Sequence, residues 1–173
     1  ECGDGELDAG EQCDDGNKIE NDGCEACKVG KIVASKVVIS EIMVHSDNVD
    51  DAYGEWIELY NGEPKPVAIN GWTIKTGKGG EQDLPASPAL ILQPGGSLVL
   101  GASTDKVFNG GVPVDFAWKK GLKLDNTEDT IEFAHKNLII DKIHYGKGTP
   151  VPKAGKALQL DPQHLSSAFN DLS

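Results

Sequence analysis

The stretch Lys36-Val-Val-Ile-Ser-Glu-Ile-Met-Val44, followed by Glu55-Trp-Ile-Glu-Leu-Tyr60, indicates the fold class. The first segment is nearly continuous in β-branched and other apolar residues, and the second alternates apolar and polar residues. Both patterns are typical of β-strands. Further short apolar runs follow, separated by turns rich in glycine, asparagine and proline. The sequence therefore predicts an all-β, antiparallel sandwich.

The remaining predicted strands are short and continue almost to the end of the chain. They cover 67–69, 72–76, 90–92, 97–100, 114–118, 130–133, 138–145 and 157–160. Only 166–172 has a helical pattern, and it is brief. This distribution favours one β-sandwich over an alternating α/β architecture.

Composition limits the classes of partner. The chain has 173 residues and a formal net charge of −12, and every one of its 16 basic residues is lysine. Arginine provides the planar fork that grips phosphates and guanine edges, so an acidic chain without it is poorly suited to nucleic acid. No apolar run approaches the roughly 18 residues of a membrane span. We therefore expect neither nucleic-acid binding nor membrane insertion.

The first 28 residues differ from the rest in cysteine content and charge. They contain all four cysteines, Cys2, Cys13, Cys24 and Cys27, and ten carboxylates against two lysines. So short a segment buries too little apolar surface to fold without cross-links or a metal. Only one C-x-x-C pair is present, whereas a four-cysteine zinc site usually has two, so disulfides are favoured over zinc. Disulfides predict an extracellular, cell-surface or periplasmic location.

The motifs of this segment carry a resemblance. Glu1-Cys-Gly-Asp-Gly5, Gly10-Glu-Gln-Cys-Asp-Asp-Gly-Asn17 and Asp22-Gly-Cys24 resemble the extracellular cysteine-rich repeat of myxobacterial surface proteins. The resemblance covers residues 1–27 and implies a secreted, disulfide-held spacer. Among the three possible connectivities we prefer Cys2–Cys24 with Cys13–Cys27. We accordingly divide the chain into a repeat at 1–28, a linker or start of the first strand at 29–36, and a sandwich with a short tail at 37–173.

Five oxygen-bearing side chains lie close together within the repeat: Asp14, Asp15, Asn17, Asn21 and Asp22. Calcium prefers oxygen ligands, but this spacing does not match an EF-hand loop. Asp and Asn beside glycine also form tight turns without any metal. A calcium site and plain turns are therefore two open interpretations. No other cofactor motif is present.

Ordered motifs in the second part of the chain also carry a resemblance. Six blocks, 37–42, 54–61, 69–74, 92–100, 124–131 and 141–146, resemble the lamin tail domain, over about residues 36–160. That family is an immunoglobulin-like sandwich, so the resemblance implies a binding or anchoring accessory that performs no catalysis. The chain departs from the nuclear members in its lack of a basic surface and in the cysteine repeat that precedes the sandwich.

Two alternative functions rest on particular residues. Glu41 and Glu58 lie within apolar strands, and paired carboxylates can perform acid–base chemistry, although a structural role is favoured. We predict no catalytic residues. Trp56 and Trp72 are expected in the core, whereas Trp118, beside Lys119-Lys120-Gly121, is the best candidate for exposure and for glycan binding. Asp47, Asp50 and Asp51 lie in an acidic loop that is a candidate cation or binding site, although a plain solvated loop is favoured.

The sequence thus predicts a secreted or cell-surface module that binds a protein partner or associates with itself. The alternatives are an accessory domain of a secreted enzyme and a glycan-binding module. Self-association is expected through the edge of the first strand, Val37 to Val44, because it is apolar and carries only Glu41 as a charge. The competing interpretation is a monomeric spacer whose first strand is paired within its own sheet.

Overall fold

The computed structural model describes residues 4, 6, 8–11, 24, 25, 27–29, 36–78, 80–136 and 138–161. Thirteen strands and one short helix occur in these ranges. In chain order they are β1 (Cys24–Glu25), β2 (Lys28–Val29), β3 (Val37–Met43), α1 (Asp51–Gly54), β4 (Trp56–Asn61), β5 (Val67–Ala68), β6 (Trp72–Thr76), β7 (Gly80–Asp83), β8 (Ile91–Leu92), β9 (Ser97–Gly101), β10 (Phe116–Ala117), β11 (Asp129–His135), β12 (Leu138–Tyr145) and β13 (Leu158–Gln159).

Two β-sheets enclose the core. The larger has five strands in the order β10-β9-β4-β3-β13, and the smaller has four in the order β12-β11-β6-β7. The strand pairs are antiparallel except β9 with β10, which run parallel. Strands β5 and β8 form a separate antiparallel pair. The predicted all-β sandwich is confirmed, and the parallel pair at one edge corrects the expectation of a fully antiparallel one.

Alternation along the strands explains which side chains enter the core. In β4, Ile57 and Leu59 are buried while Trp56, Glu58 and Tyr60 are only partly buried, as expected for a strand with one face on the core. From the smaller sheet, Trp72 packs against Phe133 in a tilted arrangement, with ring centroids 5.2 Å apart. These inward faces form one continuous hydrophobic cluster, which gives the sandwich its stability.

A β-bulge at Ser40 changes the direction of the side chains in β3. The register with β4 shifts between Ile39 and Glu41, so Ile39 and Ile42 both lie in the core. The backbone N–H of Ile39 donates to the Asp141 carboxylate of β12 at 2.7 Å. The bulge therefore joins the two sheets through a buried hydrogen bond.

Strand β3 is not an edge of its sheet. It pairs with β4 on one side, and with β13 at Ile42 and Glu41 on the other. The Ser40 carbonyl also accepts the backbone N–H of Leu160 at 2.8 Å. The expectation that the first strand offers an unpaired edge for association is therefore wrong, because the segment after Gly155 folds back to cover it.

Some elements were not predicted from the sequence. Strand β7 has the polar sequence Gly-Glu-Gln-Asp, in which only Gln82 is buried, and helix α1 occupies the predicted acidic loop. Near the N-terminus β1 pairs with β2, with Cys24 opposite Val29. The helical pattern at 166–172 lies outside the described residues.

Candidate functional site

Several loops meet at one end of the sandwich. Strand β3 ends there, β4 begins there opposite Gly101 of β9, and β11 begins there opposite Tyr145 of β12. The connections 44–55, 102–115 and 118–128 therefore share this end, which we call the loop end. Loops at the end of a rigid sandwich are a common place for binding residues.

Two of the three carboxylates of the predicted acidic loop, Asp50 and Asp51, take part in local structure, and Asp47 is exposed. Asp50 caps helix α1 by accepting the N–H of Ala52 at 2.9 Å. Asp51 accepts the N–H of Ser46 at 3.1 Å and the Asn126 amide at 2.6 Å, and its carboxylate lies 3.3 Å from His45 Nδ1. Asp51 thus fixes the loop to the 124–128 turn, and the cation or binding role of the loop stays a prediction.

The 124–128 turn is itself organised around Asp125. Its carboxylate accepts the Thr127 hydroxyl and the N–H groups of Thr127 and Glu128. These hydrogen bonds, led by the Thr127 hydroxyl, hold the pKa of Asp125 below its ordinary value. The Tyr145 hydroxyl donates to the Asp125 carbonyl at 2.7 Å, and burial together with nearby carboxylates raises the pKa of that phenol. The turn is therefore rigid and is anchored to the smaller sheet.

A buried carboxyl group lies beneath this turn. Glu55 is 5% exposed and accepts the backbone N–H of Leu124 at 3.1 Å. Burial, and next the nearby Asp51 and Asp129 carboxylates, raise the pKa of Glu55 to about 7, against the opposing Leu124 hydrogen bond and Lys123 charge. Glu55 thus changes charge near neutral pH, at the point where two loops join.

The 102–115 loop presents apolar side chains to solvent. Val107 is 82% exposed and Phe108 is 55% exposed, and the Phe108 ring lies 5.7 Å from the ring of Tyr53 on α1. The loop is held from within by Asn109, whose side-chain amide donates to the carbonyls of Ser103 and Val112 at 2.9 Å each. A rigid loop with exposed apolar residues is typical of a contact surface.

Glu41 and Glu58 lie directly opposite each other in β3 and β4. The Ser40 hydroxyl donates to the Glu58 carboxylate at 2.6 Å. Burial, and second the Glu58 charge, raise the pKa of Glu41. In the described part of the chain, neither carboxylate forms an ion pair with a lysine. The sequence correctly singled out both residues, and their register makes them neighbours, but nothing in this geometry assigns them a reaction.

A cavity of about 180 Å³ opens beside this pair. It lies where β3 and β13 of the larger sheet face β12 of the smaller one. Apolar residues line most of it, and Glu41, His144 and Gln159 add polar groups. The cavity is large enough to accept one apolar side chain, because an engineered cavity of about 150 Å³ holds benzene.

The predicted roles of two tryptophans are exchanged. Trp118 is 5% exposed and packs in the core, so the expectation that it forms an exposed aromatic platform is wrong. Trp56 was expected in the core but is only partly buried. Its partner across β3 is Met43, which is also partly buried. Trp118 directly follows β10, and its backbone N–H donates to the Gly101 carbonyl of β9, which holds the residue against the larger sheet.

The predictions for the N-terminal repeat lie mostly beyond the described residues. Cys2, Cys13 and the calcium candidates Asp14, Asp15, Asn17, Asn21 and Asp22 are outside them. Cys27 is 6% exposed and disulfide-bonded. The preferred connectivity and the calcium site stay predictions. Among the described residues, no group of three or more His, Cys, Asp or Glu side chains is arranged to hold a metal ion.

Sequence reasoning missed Glu55, Asp129 and Asn126 as parts of the loop end. The sequence did contain a signal for Glu55. It lies two residues before Ile57 and four before Leu59, so the alternation of the strand places it on the same inward face. Asn126 had no such signal, since its partners His45 and Asp51 are about 80 residues away in the chain.

Residues 32–148 match the model of the lamin tail domain. The chain belongs to the lamin tail domain family. The lamin tail domain is an immunoglobulin-like, non-catalytic domain, in agreement with the sandwich described above. Among curated proteins, none matches the chain. The described residues of this lamin tail domain protein include no helix long and apolar enough to cross a membrane.

Proposed function

We propose that this chain is a secreted or cell-surface, non-catalytic module that mediates protein association or anchoring, including as a subunit of an extracellular assembly. The observation that supports this most directly is the apolar surface at the loop end. Val107, Phe108 and Tyr53 are exposed, and hydrogen bonds from Asn109 fix the loop that presents two of them. Preorganised aromatic and aliphatic side chains contribute much of the free energy of protein contacts, because little conformational entropy is lost on binding.

Charge supports a specific contact over general adhesion. The net charge of −12 opposes random aggregation, and the contact surface is apolar within an acidic molecule. The cysteine repeat before the sandwich supports an extracellular location, since structural disulfides persist in oxidising compartments. The same repeat is the proposed spacer that holds the sandwich away from its point of attachment.

Sedimentation velocity of the oxidised, purified chain tests association, at several protein, salt and calcium concentrations. The expected result is a sedimentation coefficient that rises with protein concentration. Treatment of intact producing cells with a protease that does not enter them tests the location, and the expected result is loss of the full-length chain. A chain protected from that protease would contradict the cell-surface proposal.

Glycan binding is the second candidate, supported by one different observation. Trp56 and Tyr60 occupy outward positions of β4 and are partly exposed. Aromatic side chains on a sheet face can stack against sugar rings. A glycan array with the wild-type chain and Trp56→Ala tests this. Binding lost in that variant, together with a chain that remains monomeric, would favour the glycan role. The role as an enzyme accessory domain is tested by the neighbouring domains of the full-length gene product.

A further inference from the structure

We propose that the Lys106-Val107-Phe108 tip of one copy docks into the cavity between β3, β12 and β13 of a second copy, and so joins copies head to tail. We call residues 106–108 the tip. This inference rests on the proposed association function and names the contact that performs it.

Size and polarity make the tip and the cavity complementary. Val107 is the most exposed large hydrophobic residue of the described chain, at 82%, and its neighbour in the chain, Phe108, is 55% exposed. The cavity has a volume of about 180 Å³, and Ile39, Ile42, Ile143 and Leu158 are among the residues that line it. Transfer of one of these side chains from water into an apolar recess is favourable, because it removes apolar surface from water. An apolar side chain of the tip therefore matches the cavity in both size and polarity.

Charge identifies a second copy as the occupant. Glu41 lines the cavity and faces Glu58 across the strand pair, and like charges opposite each other are unfavourable. Lys106 directly precedes Val107, is exposed, and forms no ion pair with another described residue. The neighbouring Asp105 carboxylate is turned back toward its own loop, where it accepts the Val107 N–H at 2.9 Å. Docking of the tip would bring the Lys106 ammonium close to Glu41, which forms no ion pair with a described lysine.

The topology prevents a copy from filling its own cavity. The tip lies on the connection between β9 and β10, at one edge of the five-stranded sheet, whereas the cavity lies at β3 and β13, at the opposite edge. The contact is therefore heterologous, and a heterologous contact that does not close into a ring produces an open chain of subunits. This geometry fits the proposed subunit of an extracellular assembly.

Substitution of the exposed apolar residues of the tip tests the apolar part of the contact. Sedimentation velocity is measured for the wild type, for V107S with F108S, and for the control L138S. Leu138 is also an exposed hydrophobic residue, 44% exposed, but it lies at the far end of β12. We expect the association constant to fall at least about tenfold in the tip variant and to stay unchanged in the control. Thermal melts of all variants establish that the sandwich is intact.

Charge exchange tests the pairing between copies. K106E alone places carboxylates on both surfaces, and E41K alone places lysines on both, so each protein should associate about threefold or more weakly than the wild type. An equimolar mixture restores opposite charges at every contact, and association should return. E41K also puts a lysine opposite Glu58, which favours the folded strand pair.

The outcomes separate this inference from the general proposal. Association that persists unchanged in the tip variant, or that is lost in L138S instead, would overturn the docking contact and leave the association function standing. A wild-type chain that is monomeric at every concentration would overturn the docking contact, while the location test and a different protein partner would still decide the anchoring role. Failure of the mixture to associate, with both single variants folded, would overturn the assignment of Lys106 and Glu41.

Discussion

Asp141 of β12 accepts the backbone N–H of Ile39 of β3 at 2.7 Å, although 102 residues separate them in the chain. The bond crosses between the two sheets and serves the N–H group beside the Ser40 bulge. Both residues are buried, at 2% exposure. An unpaired N–H group at this buried position would cost its full desolvation free energy, so the bulge requires the Asp141 carboxylate as an acceptor. The bulge in turn directs both Ile39 and Ile42 toward the core.

Removal of the Asp141 carboxylate is expected to destabilise the whole sandwich. Asp141→Ala leaves the Ile39 N–H without its acceptor and should lower the free energy of unfolding by about 1–3 kcal/mol. Asp141→Asn keeps an oxygen acceptor and should lose less. Urea denaturation followed by tryptophan fluorescence measures both. Equal stability of the alanine variant and the wild type would contradict a structural role for this bond.

The hydrogen bond between Asp141 and Ile39 is a feature that local sequence patterns could not predict. Alternation predicted the strands around Val37–Met43 and Leu138–Tyr145 because the period of two follows directly from strand geometry. The bulge at Ser40 and the partner of Ile39 depend on contacts between distant segments, which no local pattern records. β7 was missed for a related reason, since its only buried side chain is Gln82, whose carboxamide oxygen accepts the Lys119 N–H.

The candidate site also has parts that the sequence predicted and parts that it did not. The sequence singled out the acidic loop at Asp47, Asp50 and Asp51 and the lamin-tail block 124–131, and the structure joins these segments through His45, Asp51 and Asn126. The exposed tip at Val107 was not predicted, because exposure of an apolar residue depends on the packing of its loop. Trp118 was misassigned because it directly follows β10, an edge strand of only two residues that carries too little alternation to indicate an inner face. Trp56 was misassigned although β4 alternates, because it lies on the face of that strand opposite to Ile57 and Leu59.

The stability of the loop end should depend on pH through Glu55. Its pKa in the folded state is about 7, above the ordinary value of 4.5. A carboxyl whose folded pKa is raised contributes stability that is complete below pH 4.5 and is lost as the pH rises through 7. The free energy of unfolding should therefore fall by about 1–3 kcal/mol from this group between pH 5 and pH 8.

Glu55→Gln tests that pH dependence. The glutamine keeps an oxygen acceptor for the Leu124 N–H but does not ionise, so the variant should be more stable than the wild type at pH 8. Its free energy of unfolding should also lack the decrease between pH 5 and pH 8 that ionisation of Glu55 causes in the wild type. Glu81→Gln on the exposed strand β7 is the control for loss of one negative charge. A pH profile of Glu55→Gln parallel to that of the wild type would show that Glu55 does not titrate in this range.

The rigidity of the 102–115 loop should depend on Asn109. This residue is 3% exposed; it donates to Ser103 and Val112 and accepts the N–H of Gly111 at 3.0 Å. Asn109→Ala removes all three bonds and leaves buried groups unpaired, so the amides of 107–111 should exchange with solvent about tenfold faster or more. Association should weaken as well, although Val107 and Phe108 are unchanged. Asn48→Ala, at an exposed position, is the matched control.

Reduction of the disulfides should affect the N-terminal repeat and leave the sandwich largely unchanged. The hydrophobic core cluster of the sandwich contains no cysteine among its described members, and Cys27 lies outside it. Each bridge is expected to contribute about 2–4 kcal/mol, and mainly to residues 1–28. Mass measurement with and without reduction before alkylation should show no free thiols in the native protein and four after reduction.

Thermal melting of the oxidised and reduced chains completes this test. The tryptophan signal reports the sandwich, because Trp56, Trp72 and Trp118 all lie within it, and its midpoint should move by only a few degrees on reduction. Calcium and a chelator, added to the oxidised chain, distinguish a metal site at Asp14 to Asp22 from plain turns through a change in the protease sensitivity of the repeat. A sandwich that melts together with the reduced repeat would instead mean that the two parts form one cooperative unit, since only a shared interface would transmit the loss of the bridges to the core.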